Sequence, residues 1–236
     1  MDQTLPLTKK EKRELRKLEK REERTKEAKT RLLQKLFLWS SGLLFLVGAF
    51  FLVKKSASVS PNVPDLNLTT VASSDWAKGK ENAKHLLVEY SDFQCPACAG
   101  YAPVVKQLLQ EKGDQFTFAY RHFPLPQHTN ADEAARASEA AGKQGTFWEM
   151  HDLLFDRQES WSENSNPDET FALYAQELGL NSQQFVNDYN SDEVKNKVQT
   201  DYTSGVAAGV NSTPSFFFDG KKIQPGSYKD FTALFE

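Results

Sequence analysis

Hydrophobic and polar positions divide the chain into four regimes. Residues 8–35 mix Lys, Arg and Glu with almost no aromatic or β-branched side chains, the pattern of a solvated helix with i,i+4 ion pairs. Leu36–Val53 then runs for 18 residues without a charge. As a helix it spans about 27 Å, close to the ~30 Å hydrocarbon core of a bilayer, and it is apolar on every face. Residues 54–83 contain SASVSPNVP and NLTTVASSD with no apolar period, which predicts a linker. From Lys84 to Glu236 short apolar runs alternate with amphipathic stretches over 153 residues, enough for one domain with its own core.

Within that last regime, His85–Tyr90 reads as a buried strand interrupted by one acid, Glu89. A helix is predicted from Cys95 to about Lys112, with Pro96 in its first turn, Gly113 past its end, and Pro103 expected to kink it. Phe116–Tyr120 alternates with period two and predicts a second strand, so the order begins β-α-β. Helical segments follow after Asn130, over Phe147–Phe155, from Pro167 to Gly179, and from Ser182 and Ser191. Strands return at Ser215–Phe218 and, after an Asp219-Gly220 turn, at Lys222–Gln224, before a final helix. The expected architecture is α/β, with a helical insert over about 125–208 inside a β-α-β…β-β-α frame.

Composition sharpens this picture only when it is divided by position. The chain has 236 residues, 39% hydrophobic and 26% charged, which excludes a wholly disordered or collagen-like polymer. Its net charge of -3 comes from 29 basic and 32 acidic residues; residues 1–35 hold 13 basic against 7 acidic, leaving 16 against 25 in the rest. Eight Lys or Arg lie between Lys17 and Lys35, against Lys54 and Lys55 beyond the apolar run, so the N-terminus is expected in the cytosol. The basic segment also suits attraction to anionic headgroups, although its Glu residues dilute that. The expectation is a cell-membrane protein with an uncleaved single-pass anchor at 36–53 and an extracytoplasmic domain. A cleaved signal peptide, with Ser56-Ala57-Ser58 as its small-residue site, is the rival reading.

The candidate chemistry lies in two cysteines, Cys95 and Cys98, spaced three apart where a strand gives way to a helix. There the helix macrodipole and free N–H groups stabilise a thiolate on Cys95, and Cys98, one turn on, can attack a mixed disulfide formed at Cys95. A stapling disulfide over so short a loop contributes only about 2 kcal/mol. A zinc site needs two further ligands, and no two of His85, His122, His128 and His151 stand at i,i+3 or i,i+4 spacing. Glu89, six residues before Cys95, reads either as a buried acid with a raised pKa able to exchange a proton with a thiol, or as a solvated edge residue. Thr213-Pro214 precedes a strand and reads either as an ordinary loop proline or as a fixed cis turn.

Taken together, YSDFQCPACAGYAP, FAYRHFPLPQHTNADEAARASEAAGKQGTFWEMHDLLF and GVNSTPSFFFDGKKI resemble the DsbA-like thiol:disulfide oxidoreductases in their membrane-anchored form. The resemblance covers about residues 84–236. It implies a thioredoxin fold with an inserted α-helical domain, preceded by a single N-terminal transmembrane helix. It further implies Cys95 as exposed nucleophile, Cys98 as resolving cysteine, Glu89 as buried proton-transfer acid and Pro214 as a cis-proline opposite the disulfide. Pro96 and Ala97 would face the substrate, and Thr213 would offer its backbone to an extended substrate strand. The implied partners are reduced exported proteins as substrates and a quinone-linked membrane thiol oxidase as reoxidant. No metal, no nucleic acid and no cofactor beyond the Cys95–Cys98 disulfide are expected. Ala97 departs from the strongly oxidising members, which carry histidine there, so a disulfide reductase or isomerase stands as an alternative; a tethered peptide-binding module with a chaperone-like role, the CxxC incidental to it, is a separate one.

Overall fold

The structure, a computed structural model, describes residues 68–236. The expected anchor at 36–53, the charged segment before it and the part of the 54–83 stretch before Leu68 lie outside the described residues. Among the described residues no helix is long and apolar enough to cross a membrane.

The central strand β2 (His85–Ser91) is buried at every position after its first. It continues through helix α1 (Pro96–Lys112) into β3 (Phe116–His122), which pairs parallel to it from His85↔Phe116 to Ser91↔His122. A crossover helix covers one face of such a pair, which is why both strands are apolar without strict alternation. Pro103 lies inside α1, and the helix runs through it from Pro96 to Lys112.

Between β3 and the return to the sheet stand six helices, the expected insert: α2 (Ala131–Gly142), α3 (Phe147–Asp156), α4 (Gln158–Trp161), α5 (Asp168–Glu177), α6 (Ser182–Tyr189) and α7 (Asp192–Ala207). Asn130, Pro167 and Ser191, read as start signals in the sequence, are the N-cap residues of α2, α5 and α7. Strands β4 (Ser215–Phe218) and β5 (Lys221–Ile223) then add antiparallel beside β2, and α8 (Tyr228–Thr232) closes the fold.

One element corrects the sequence reading. The stretch 54–83 was expected to be linker throughout, yet Trp76–Gly79 forms β1, antiparallel to β3, in a sheet ordered β1-β3-β2-β4-β5. Four residues with alternate half-exposure carry too little apolar period to be read as a strand. What holds β1 is distant: the Trp76 ring stacks on Phe147 at 4.4 Å and its Nε1 donates to Glu139 Oε1 at 2.8 Å. Gly142 lets that indole approach, because a Cβ there would lie 2.3 Å from the ring. Asp75, just before β1, accepts two hydrogen bonds from the buried Arg121 guanidinium at 2.9 and 2.8 Å. The domain therefore extends upstream of Lys84.

The core divides about the sheet. Leu86, Val88, Tyr90, Ala119 and Phe217 point to one face. Leu87, Phe116, Phe118, Tyr120 and Phe216 point to the other, against α1, α3 and the helical insert. By the period of two, Glu89 belongs to this second, larger apolar face, where the cysteines also lie.

Candidate active site

Cys95 is the N-cap of α1, in an extended backbone conformation, and Pro96 occupies the first helical turn, where its missing N–H costs nothing. The next free N–H groups belong to Ala97 and Cys98, and they face the Cys95 sulfur. A hydrogen bond with the Cys98 thiol, with these N–H groups assisting and burial opposing, holds the Cys95 thiol down to about 5. Cys98 is the opposite case. Burial pushes its thiol well above the ordinary value, and the neighbouring Cys95 and Glu89 push it further. Both sulfurs are free thiols; Cys95, expected as the exposed nucleophile, is buried at 7% exposure because its thiol lies against the Thr213 carbonyl, and Cys98 is at 0%. The pair is thus split into one thiol that ionises easily and one that resists.

Glu89 is the buried acid of the two sequence readings, at 3% exposure. Burial pushes its carboxyl up to about 7, and the Cys95 charge adds to this. A cavity of about 30 Å³ lies beside it, lined by Phe118, Trp148 and His151 and reaching Lys78, Lys106 and Asp152. That volume holds a water or two, so the buried carboxyl has a polar route outward. The electrostatics of the lining agree: burial lowers Lys78 and His151, whereas hydrogen bonds from His151 and Lys106 outweigh burial to hold Asp152 below its ordinary range.

Thr213 and Pro214 immediately precede β4, and the Tyr90↔Ser215 register brings them to the end of β2 that leads to Cys95. The peptide bond between them is cis. The Cys95 thiol donates to the Thr213 carbonyl at 3.4 Å. Thr213 is buried, Pro214 half-buried, and Pro96 and Ala97 are exposed beside Cys95. All seven residues singled out from the sequence therefore converge on one end of the sheet.

Sequence reasoning missed the side chains that hold this end in place. Asp92, buried between strand and helix, accepts from Gln94 N at 2.7 Å, Leu125 N at 2.8 Å and His128 Nδ1 at 2.7 Å. Gln158 donates through Nε2 to the carbonyls of Phe93 and Cys95 at 2.6 and 3.0 Å. Gln94 donates to the Ser162 carbonyl and accepts from Asn130 N, while Asn130 Nδ2 donates to the carbonyls of Trp161, Ser162 and Asn164. The only sequence signal was three polar side chains, Ser91, Asp92 and Gln94, in a strand-to-helix turn otherwise destined for burial.

Among the described residues, one group has the donor set for a metal ion: His122, Glu139 and Asp201, all buried. The Lys197 ammonium already pairs with both of these carboxylates, 3.7 Å from Glu139 and 2.5 Å from Asp201.

A family profile described as Thioredoxin matches residues 72–236, in accord with a domain that begins ahead of β1. The Na(+)/H(+) antiporter NhaA of Herminiimonas arsenicoxydans is 40% identical over 164 residues, which are 69% of this chain and 25% of that protein. The chain thus spans about a quarter of the length of the curated relatives it matches. Among solved structures, alpha-DsbA1 of Wolbachia pipientis is similar with a TM-score of 0.62 and 22% identity, over 72% of this chain and 94% of that one. MdbA of Corynebacterium diphtheriae, a thiol-disulfide oxidoreductase, has a TM-score of 0.57 and 22% identity, over 70% and 91%. These likenesses establish a shared fold.

Proposed function

The chain belongs to the thioredoxin family, and from that premise we propose that it is a thiol:disulfide oxidoreductase that passes the Cys95–Cys98 disulfide to exported proteins. One observation carries the reading: Cys95 is held down to about 5 while Cys98 is pushed well up. A substrate thiolate attacks Cys95 Sγ, a mixed disulfide forms, and Cys98 leaves as a thiolate. Because Cys98 resists ionisation, it takes a proton, and Glu89, pushed up to about 7, is the adjacent acid poised to give it near neutral pH. A second thiolate on the substrate then attacks the substrate sulfur of the mixed disulfide, expelling Cys95. Cys95 leaves readily because its thiolate is stabilised. The outcome is one substrate disulfide and two enzyme thiols, so two electrons have moved from substrate to enzyme.

Direction follows from the same split. Stabilising the Cys95 thiolate stabilises the reduced enzyme and makes the disulfide a better oxidant. Ala97 lacks the extra cationic donor that histidine would supply there, which favours a milder oxidant than the strongest of the family. A substrate chain lying along Pro96, Ala97 and the Thr213 backbone would meet Cys95 edge-on. The membrane anchor at 36–53, the extracytoplasmic setting and a quinone-linked membrane oxidase as reoxidant complete the proposal, supported by the apolar run and its basic flank.

Incubating the full chain with a reduced, unfolded protein and a glutathione buffer tests the reading. Cys95→Ser is expected to abolish catalysed disulfide formation, and Cys98→Ala to accumulate mixed disulfides with the substrate. Unchanged turnover in Cys95→Ser would leave a peptide-binding module as the better account.

A further inference from the structure

Behind the two cysteines, Asp92 links the resolving sulfur to the loop that follows β3. Its backbone N–H points at Cys98 Sγ, with nitrogen and sulfur 3.5 Å apart. Its carboxylate is fully buried and is shared among three donors. Oδ1 accepts from Gln94 N, while Oδ2 accepts from Leu125 N and from His128 Nδ1, all within 2.7–2.8 Å. The Asp92 carbonyl closes the turn by accepting from Cys95 N at 3.1 Å. Both ends of the residue are thus tied to the cysteine motif, and its side chain is tied to the loop after β3.

From this geometry we infer that Asp92 is a positioning residue for the resolving step, its carboxylate clamping the Ser91–Asp92 peptide so that the N–H stays on Cys98 Sγ. Cys98 is the sulfur that most needs a donor. It has 0% exposure, so the Asp92 N–H is a protein donor at hand when the thiolate forms. A hydrogen bond to an ionised group in such a site is among the stronger ones, and a peptide plane free to rotate loses it. His128 completes the clamp: it is 36 residues away in sequence, 20% exposed at its side chain, and holds one of the two loop donors. The attack by Cys95 does not use this N–H, so the clamp separates the two chemical steps.

The inference rests on exchange at Cys95 and Cys98, and a two-step probe tests both. The reduced full chain is mixed with dithiobis(nitrobenzoate). Cys95 thiolate attacks the reagent disulfide, forming a Cys95–thionitrobenzoate disulfide and releasing one coloured thionitrobenzoate. Cys98 thiolate then attacks Cys95 Sγ, closing the Cys95–Cys98 disulfide and releasing the second. Two protein thiols are oxidised, one reagent disulfide is reduced, and two protons pass to solvent. Asp92→Asn keeps the acceptor for Gln94 N–H but sets an uncharged amide against the Leu125 and His128 donors. It is expected to slow the second release by about tenfold while leaving the first within about twofold. His128→Ala, which keeps the carboxylate, is expected to slow only the second release, by about threefold, and decides the matter if Asp92→Asn does not fold. Equal slowing of both releases, or an unchanged second release, would overturn the assignment. A single release from the unsubstituted chain would defeat the exchange reading itself, and this inference with it.

Discussion

Glu89 is the residue whose environment contradicts its chemistry most directly: an acid on the larger apolar face of a strand buried at every position after its first. Its pKa is raised in the folded state, so its contribution to stability is fully present below about 4.5 and is lost as pH rises through about 7. Glu89→Gln is therefore expected to gain stability relative to the unsubstituted chain between pH 4.5 and 8, by on the order of 3 kcal/mol, read from denaturant melts at both ends of that range. It is also expected to slow exchange, because Cys98 then lacks its proton donor. An equal stability difference at both pH values would return Glu89 to a solvated role. The sequence displayed the anomaly, one acid in an apolar run, without showing which side of the strand it faced. Burial decides that, and burial belongs to the packed sheet rather than to the local pattern.

At the scale of elements, the strand-to-helix turn and the parallel β2-α1-β3 unit were legible because each rests on local signals: Pro96 at a helix start, Gly113 past its end, apolar runs of strand length. The starts of α2, α5 and α7 were legible for the same reason, through Asn130, Pro167 and Ser191. Strand β1 and the four-residue α4 were not. Trp76 reaches Glu139 across 63 residues and Gln94 reaches Ser162 across 68, and no periodicity encodes a partner so far away. The docking of β1 gives its own test. Gly142→Ala places a methyl group 2.3 and 2.6 Å from the Trp76 ring and 3.2 Å from the Phe147 side chain. It is expected to destabilise the domain by about 1–3 kcal/mol, the range for overpacking a filled site, seen as a lower midpoint in thermal or urea unfolding. A midpoint equal to that of the unsubstituted chain would mean that Trp76 can leave without cost, and β1 with it.

For the whole molecule, the helical insert and the thioredoxin-type sheet act as one support for a single turn. Gln158 and Asn130 from the insert side, with Gln94 and Asp92 from the sheet side, fix the carbonyls and N–H groups around Cys95, while Thr213 fixes the opposite wall. Charge is divided along the sequence, with the basic residues concentrated in 1–35 and the acidic excess in the remainder. No third cysteine competes with the pair. The central claim is that this support makes Cys95–Cys98 a disulfide donor, and equilibrating the full chain with graded glutathione buffers, with free thiols trapped and counted, tests it most directly. Thioredoxin, a reductant, lies near about -270 mV and the strong oxidant DsbA near about -120 mV. A reduction potential less negative than about -200 mV is the result expected here, and one near about -270 mV would contradict it.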